Sequence, residues 1–222
     1  MTASDASMFV LPTVGLEIID IARNLKPSKS PGYDEISPKV IKSIINNIAQ
    51  PISDIFNLSL RTGIFSDKLK TAKVSSDFKS DNKKLVNNYR PISILPVFSK
   101  TLEKFMYNRL LSYLDKINIL TDKQYGFREN YSTYMAIINL VDQISNELDK
   151  KHCTLGIFID LSKEFDTINH TILLDKLPIY GIRGLSNDWF KSYLSNCNQY
   201  VQIDNTRSNI LPFFVMCPRA QF

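Results

Sequence analysis

The most informative stretch of the chain is Gly156-Ile157-Phe158-Ile159-Asp160-Leu161-Ser162-Lys163-Glu164-Phe165-Asp166. With a period of two residues, the odd positions from Cys153 to Leu161 are all apolar, and Asp160 lies on the opposite face. This pattern predicts a strand that buries one face and presents a carboxylate near its carboxyl end. Carboxylate oxygens suit a hard divalent cation that works at phosphoryl groups. The same spacing also fits a purely structural buried strand that ends in a loop aspartate.

Several other segments accompany this stretch in a fixed order. They are residues 29–36 (KSPGYDEI), 88–95 (NYRPISIL), 124–128 (QYGFR), 180–184 (YGIRG) and 189–194 (WFKSYL). Each motif is weak alone, but the set in this order is specific. Together with residues 158–166 it resembles the reverse transcriptase domain of non-LTR (LINE-type) retrotransposons, over roughly residues 14–214.

The resemblance implies an α+β, right-hand polymerase fold with mostly helical fingers, the beginning of the palm sheet and no thumb. We expect a loose leader at 1–13, fingers at 14–150, a partial palm at 151–215 and a frame-shifted tail at 216–222. The implied activity is RNA-directed DNA polymerisation, a nucleotidyl transfer with Mg²⁺ and dNTPs on an RNA template and a DNA primer.

The family motifs also imply roles for individual residues. Asp160 is expected to ligate the catalytic metal ions, with the carbonyl of Leu161 helping, and Phe165 to reject ribonucleotides by crowding the sugar 2′ position. Arg90 resembles the fingers arginine that grips the triphosphate, because its planar fork donates two hydrogen bonds to phosphate. Lys79 resembles its companion lysine. The alternatives are a core aromatic at 165 and solvated surface cations at 79 and 90.

Lys26, Lys29 and Arg128 are candidates for contacts with the template backbone, which would make binding sensitive to salt; ordinary surface charge is equally compatible. A net charge of +5 favours a polyanionic partner without proving one. The three cysteines lie far apart and neither histidine belongs to a ligand pattern, so we expect free thiols and no zinc. No apolar run approaches membrane-spanning length, and we expect no membrane partner and an intracellular protein of the nucleus or cytoplasm.

Hydrophobic periodicity and turn residues place the regular elements. Helices are predicted for residues 16–24, for 38–62 between the Ser37 cap and Gly63 with a kink or split at Pro51, and for 98–114, 134–148, 172–180 and 187–194. Strands are predicted for 72–78 and 89–95, with a hairpin of 200–203 and 210–215 around Asp204-Asn205.

The sequence departs from the family at one decisive motif. It contains no Asp-Asp pair, whereas the family carries Tyr/Phe-x-Asp-Asp after a Pro-Gln-Gly-Ser block. We therefore expect a catalytically incompetent fragment, because losing members of a catalytic unit costs orders of magnitude in rate. The alternatives are an active domain completed by another chain, and a non-enzymatic remnant that binds nucleic acid or protein.

The last eight residues, 215–222 (VMCPRAQF), indicate that the Pro-Gln-Gly-Ser block is encoded in a different reading frame. Read from the third base of the first of these codons, their back-translation permits Val-Pro-Gln-Gly-Ser-Ile. We therefore predict a frameshift between about residues 211 and 216, with the Asp-Asp codons continuing in the displaced frame. The alternatives are a misplaced exon boundary and a fragmentary assembly of the gene.

Overall fold

A computed structural model describes residues 4–25, 30–161, 168–204 and 206–212, without the side chain of Asn87. The helices in these ranges are α1 (Gly15–Asn24), α2 (Pro38–Thr62), α3 (Val97–Lys116), α4 (Thr133–Asp149), α5 (His170–Lys176) and α6 (Leu185–Tyr193). The strands are β1 (Thr71–Phe78), β2 (Tyr89–Ile94), β3 (Asn198–Ile203), β4 (Thr206–Arg207) and β5 (Leu211–Pro212). This mixture of helix and sheet confirms the α+β prediction.

The chain divides into two compact units. One consists of residues 1–112 and 165–222, and the other of residues 113–164. The first unit contains the five strands and most of the helices, whereas the second contains the end of α3, all of α4 and the segment up to Asp160 and Leu161. No helix in the described ranges is both long and apolar enough to cross a bilayer.

The longest helix, α2, has the boundaries that its sequence predicts. The Ser37 side chain accepts a hydrogen bond from the Lys39 N–H, and Pro38 lies in the first turn. Gly63 follows the last residue with φ of 65°, a left-handed conformation that glycine adopts at little cost. The helix is not split at Pro51, although proline removes one backbone hydrogen bond there.

The core of the first unit lies between α1, α2, α3 and α6. Its largest fully buried side chains are Phe56, Phe65, Phe105 and Trp189. The Trp189 indole N–H donates to the Ser59 hydroxyl at 3.0 Å, so the polar edge of this buried ring has a partner. Burial of these rings supplies the main stabilisation of this unit.

The sheet has the strand order β2-β1-β3-β4, with β5 also paired to β3. β1 is antiparallel to β2 and parallel to β3, and both β4 and β5 run antiparallel to β3. The sequence pattern predicts a single returning strand at 210–215, whereas the described residues after β3 pair with it at both β4 and β5; residues 213–215 lie outside the described ranges. Between β4 and β5, the Ser208 N–H donates to the Val201 carbonyl at 2.9 Å.

Residues 4–13, which belong to the predicted leader, make hydrogen bonds with distant residues of the first unit. The Met8 N–H donates to the Gly181 carbonyl at 2.9 Å. Thr13 is buried, and its N–H donates to Asn57 Oδ1 at 2.8 Å. The partners lie far away in the sequence, so no local pattern could have revealed these contacts.

Residues 152–161 form no strand, so the prediction of a palm strand that ends at Asp160 is wrong for this structure. The side chains expected to be buried are exposed, with Leu155, Ile157 and Ile159 at 88%, 78% and 82% of their full accessibility. A strand needs a neighbour for its backbone hydrogen bonds, and the five strands of the described ranges pair only with one another. The alternating pattern tells which face would be buried, but not whether a partner strand is available.

Candidate nucleotide-binding site

The hairpin of β1 and β2 carries the residues predicted to bind a triphosphate. Its register sets Asp77 opposite Arg90 and Phe78 opposite Tyr89. Opposite residues of an antiparallel pair share a face, and successive residues alternate between faces. The hairpin therefore has one charged face, with Asp77 and Arg90, and one aromatic face, with Phe78 and Tyr89.

Hydrogen bonds fix the loop that joins the two strands. The Lys79 N–H donates to the Asn88 carbonyl at 2.9 Å, which extends the ladder by one pair. The Tyr89 hydroxyl donates to the Lys83 carbonyl, and the Asn88 amide to the Asn82 carbonyl, each at 2.9 Å. The backbone that bears the candidate lysine is thus tied to the strand that bears Arg90.

The charged face offers uncommitted cations. The Arg90 guanidinium is exposed and makes no hydrogen bond or ion pair with any residue that the structure describes. The Lys79 side chain is exposed as well. Residues 77–90 contain four cationic and two acidic side chains. A free guanidinium is suited to binding phosphate oxygens, and Lys79 adds a second positive charge on the same hairpin.

The aromatic face stabilises the hairpin. The rings of Phe78 and Tyr89 have centroids 5.4 Å apart, and the Lys83 ammonium lies 5.5 Å from the Phe78 centroid. Aromatic cross-strand pairs and cation–π contacts of this kind each contribute on the order of 0.5 kcal/mol at exposed sites.

Asp160 and Leu161, the candidate metal ligands, are exposed and belong to the second unit, whereas Arg90 belongs to the first. Within the described ranges, no three acidic, histidine or cysteine side chains come together as a metal site. Two-metal phosphoryl transfer needs several ligands to hold both ions. The described residues therefore do not by themselves fit a pair of catalytic Mg²⁺ ions.

The remaining predicted residues divide into two groups. Arg128 stacks on the Tyr131 ring, 4.2 Å from its centroid, and donates to the Thr121 carbonyl at 2.9 Å, so part of its guanidinium is already engaged. Phe165, Lys26 and Lys29 lie outside the described residues.

The segment 30–36 packs against the start of α3. A Cβ on Gly32 would lie 2.7 Å from the Pro96 nitrogen, so this close approach requires glycine. Burial raises the pKa of the Asp34 carboxyl and lowers the pKa of the Lys100 ammonium. The opposite charges of these two groups offset part of both shifts.

Sequence reasoning missed two features of this region. Asp77 stands opposite Arg90, which the alternating pattern of the two strands could have revealed once their register was counted back from the loop. The approach of Gly32 to Pro96 joins distant positions and has no local signal.

Comparison with known proteins places the chain in a family. Residues 79–218 match the model of the family described as reverse transcriptase (RNA-dependent DNA polymerase). The chain belongs to this family, and the resemblance to non-LTR retrotransposon reverse transcriptases is confirmed.

The similar proteins are polymerases of mobile elements. The probable RNA-directed DNA polymerase from transposon BS of Drosophila melanogaster is 29% identical over 93% of this chain and 23% of its own length. The RNA-directed DNA polymerase from mobile element jockey of the same species is 27% identical, over 92% of this chain and 22% of its own length. The RNA-directed DNA polymerase from mobile element jockey of Drosophila funebris is 31% identical, over 72% of this chain and 18% of its own length. The chain thus spans less than a quarter of the length of these relatives.

The family match reaches residue 218, beyond residue 216, where the frame-shifted tail is predicted to begin. That tail lies outside the described residues, and the frameshift remains a prediction.

Proposed function

We propose that this chain contributes the fingers and early palm of the right-hand polymerase of a non-LTR retrotransposon, and that its β1–β2 hairpin binds the triphosphate of the incoming dNTP. The observation that carries the proposal is the exposed, unpaired Arg90 on a hairpin fixed by hydrogen bonds. Its guanidinium donates two hydrogen bonds to phosphate oxygens, and Lys79 adds a second positive charge.

The other roles follow from the family motifs. Reverse transcriptases use divalent metal ions, and Asp160 and the Leu161 carbonyl would supply part of the ligand set that holds them. Phe165 excludes ribonucleotides, and Lys26, Lys29 and Arg128 contact the template backbone. The parent protein works inside the cell, in the nucleus or cytoplasm, on an RNA template with a DNA primer.

The 222-residue chain alone is expected to be catalytically incompetent, because one aspartate does not hold two metal ions. Two assays test this. The first is primer extension with Mg²⁺, dNTPs and an RNA template hybridised to a DNA primer, and the second is binding of the same hybrid. We expect salt-sensitive binding without extension.

Two outcomes would contradict the proposal. Extension that disappears in Asp160→Ala but persists in Asp149→Ala would show that the chain is a complete polymerase with further metal ligands. A chain that binds neither the hybrid nor dNTPs would show that it does not act as the fingers and early palm of a polymerase.

A further inference from the structure

Arg207 of β4 lies over two tyrosine rings at the edge of the sheet. Its guanidinium carbon is 3.9 Å from the centroid of Tyr200 and 5.5 Å from that of Tyr33. The two rings meet edge to face, with centroids 6.2 Å apart and planes inclined at 70°. The three side chains form one cluster, which we call the Arg207 platform.

Strand pairing explains how the platform forms. The β3–β4 register sets Arg207 opposite Gln202, two residues from Tyr200. Residues two apart on a strand share a face, so Arg207 and Tyr200 are diagonal neighbours within reach of a long side chain. Tyr33 comes from the segment before α2, and this distant origin hides the cluster from any local sequence pattern.

The platform is open on one side. Tyr200 is only 4% exposed, whereas Tyr33 is 40% exposed and Arg207 is exposed. The Arg207 guanidinium makes no hydrogen bond or ion pair with the residues that the structure describes. A planar cation that rests on a buried ring, with its hydrogen-bond donors unused, presents a flat surface to solvent.

We propose that the Arg207 guanidinium, resting on Tyr200, forms a stacking platform for one unpaired base of a single-stranded nucleic acid, with the inclined Tyr33 ring contacting the same base from the side. This inference deepens the proposed function and rests on it, since it assigns a contact with the unpaired template beyond the triphosphate contact of Arg90. Unpaired bases stack on tyrosine rings and on guanidinium planes, and the guanidinium edge can donate to the base at the same time.

Neighbouring charges favour a base over an isolated phosphate. Burial raises the pKa of Tyr200 most, and the nearby charges of Glu35 and Asp34 raise it further, while Arg207 lowers it. Asp34 and Glu35 directly follow Tyr33 in the chain, so two negative charges adjoin the platform and would repel a phosphate placed directly on it. Stacking of a neutral base does not incur this repulsion.

Fluorescence binding tests the platform with the full 222-residue chain and a short single-stranded RNA that contains 2-aminopurine. We expect quenching on binding, because stacking quenches this base. Arg207→Ala should weaken binding roughly 5-fold or more, the usual effect of losing one stacked base. Arg61→Ala removes the same charge at another exposed position and should leave the affinity within about 2-fold, since surface phosphate contacts are weak and additive.

Two further variants separate stacking from charge. Arg207→Lys keeps the charge but not the plane, so it should bind as weakly as Arg207→Ala. Tyr33→Phe should bind normally and Tyr33→Leu weakly. Thermal unfolding followed by circular dichroism establishes that each variant is folded. A DNA oligonucleotide of the same sequence shows whether the platform discriminates between the two nucleic acids.

Specific results would overturn the inference. They are wild-type affinity in Arg207→Lys, no quenching of 2-aminopurine by the wild-type chain, and no loss of binding when each nucleotide in turn is made abasic. The first would mean that charge alone matters. Binding of dNTPs through Arg90 is measured separately, so these results would not contradict the proposed triphosphate site.

Discussion

Arg90 stands directly opposite Asp77 in the β1–β2 register, yet these two described side chains do not form an ion pair. The carboxylate therefore lowers the positive potential on this face without occupying the guanidinium fork. We infer triphosphate binding from the unpaired Arg90 guanidinium. It shares with Lys79 a hairpin whose loop is held by hydrogen bonds.

The Asp77 carboxylate should weaken that binding. Asp77→Asn keeps the shape of the side chain but removes its negative charge, so the affinity for a dNTP should rise about 2- to 5-fold at low salt and return towards the wild-type value at high salt. Titration of both proteins with dNTP at two salt concentrations measures this. Asp54→Asn, on α2, is the matched control, and an unchanged affinity in Asp77→Asn would show that no anion approaches this face.

Gly32→Ala should destabilise the first unit. The added Cβ would lie within 3.0 Å of backbone atoms of Leu95 and Pro96, which cannot move aside as a flexible side chain can. We expect a loss of about 1–3 kcal/mol in the free energy of unfolding, measured by urea denaturation. Gly126→Ala has no atom within 4 Å of the new Cβ and should be nearly neutral. Equal effects in the two variants would refute the close approach at Gly32.

Asn57 should be needed to hold residues 4–13 in place. Its side chain accepts from the buried Thr13 N–H at 2.8 Å and donates to the Thr13 carbonyl at 2.9 Å. Asn57→Ala leaves this N–H unpaired and should cost about 1–3 kcal/mol in the free energy of unfolding. Gln50→Ala, at an exposed position of the same helix, is the control. Rapid proteolysis of residues 4–13 in the wild-type chain would contradict the docked arrangement.

Asp34 should make stability depend on pH. Burial raises its pKa above the usual 3.8, and Lys100 offsets only part of this. The carboxyl therefore favours folding most at pH values below its unfolded pKa, and this contribution is lost as the pH rises through the folded pKa.

Asp34→Asn removes this titration while keeping an oxygen that can accept from the Ile36 N–H. We expect the Tm of the variant minus that of the wild type to increase as the pH rises from acid to neutral. A Tm difference that stays constant, or that changes in the opposite direction, would show that burial does not control this carboxyl.

Local chemistry made part of the fold predictable. The Ser37 cap, the Pro38 start and the Gly63 end of α2 each depend on a few adjacent residues, and the apolar stripes of α3 and α4 depend on helical periodicity alone. The family motifs added Arg90 and Lys79, which lie at neighbouring strand ends, as expected for one hairpin.

Pairing between distant segments was not predictable. Alternation around Asp160 indicated a strand, but whether a strand forms depends on a neighbour that no local pattern specifies. The docking of residues 4–13 and the meeting of Tyr33 with Arg207 likewise join distant parts of the chain.

Equilibrium binding of a dNTP is the decisive measurement for the charged face of the β1–β2 hairpin, which we propose binds the triphosphate. Arg90→Ala should weaken binding about 10-fold or more, Arg90→Lys should bind with an affinity between those of Arg90→Ala and the wild type, and Arg61→Ala should bind as the wild type does. The corresponding nucleoside, which has no phosphates, should bind all these proteins equally poorly. Wild-type dNTP affinity in a folded Arg90→Ala variant would show that this hairpin does not bind the triphosphate.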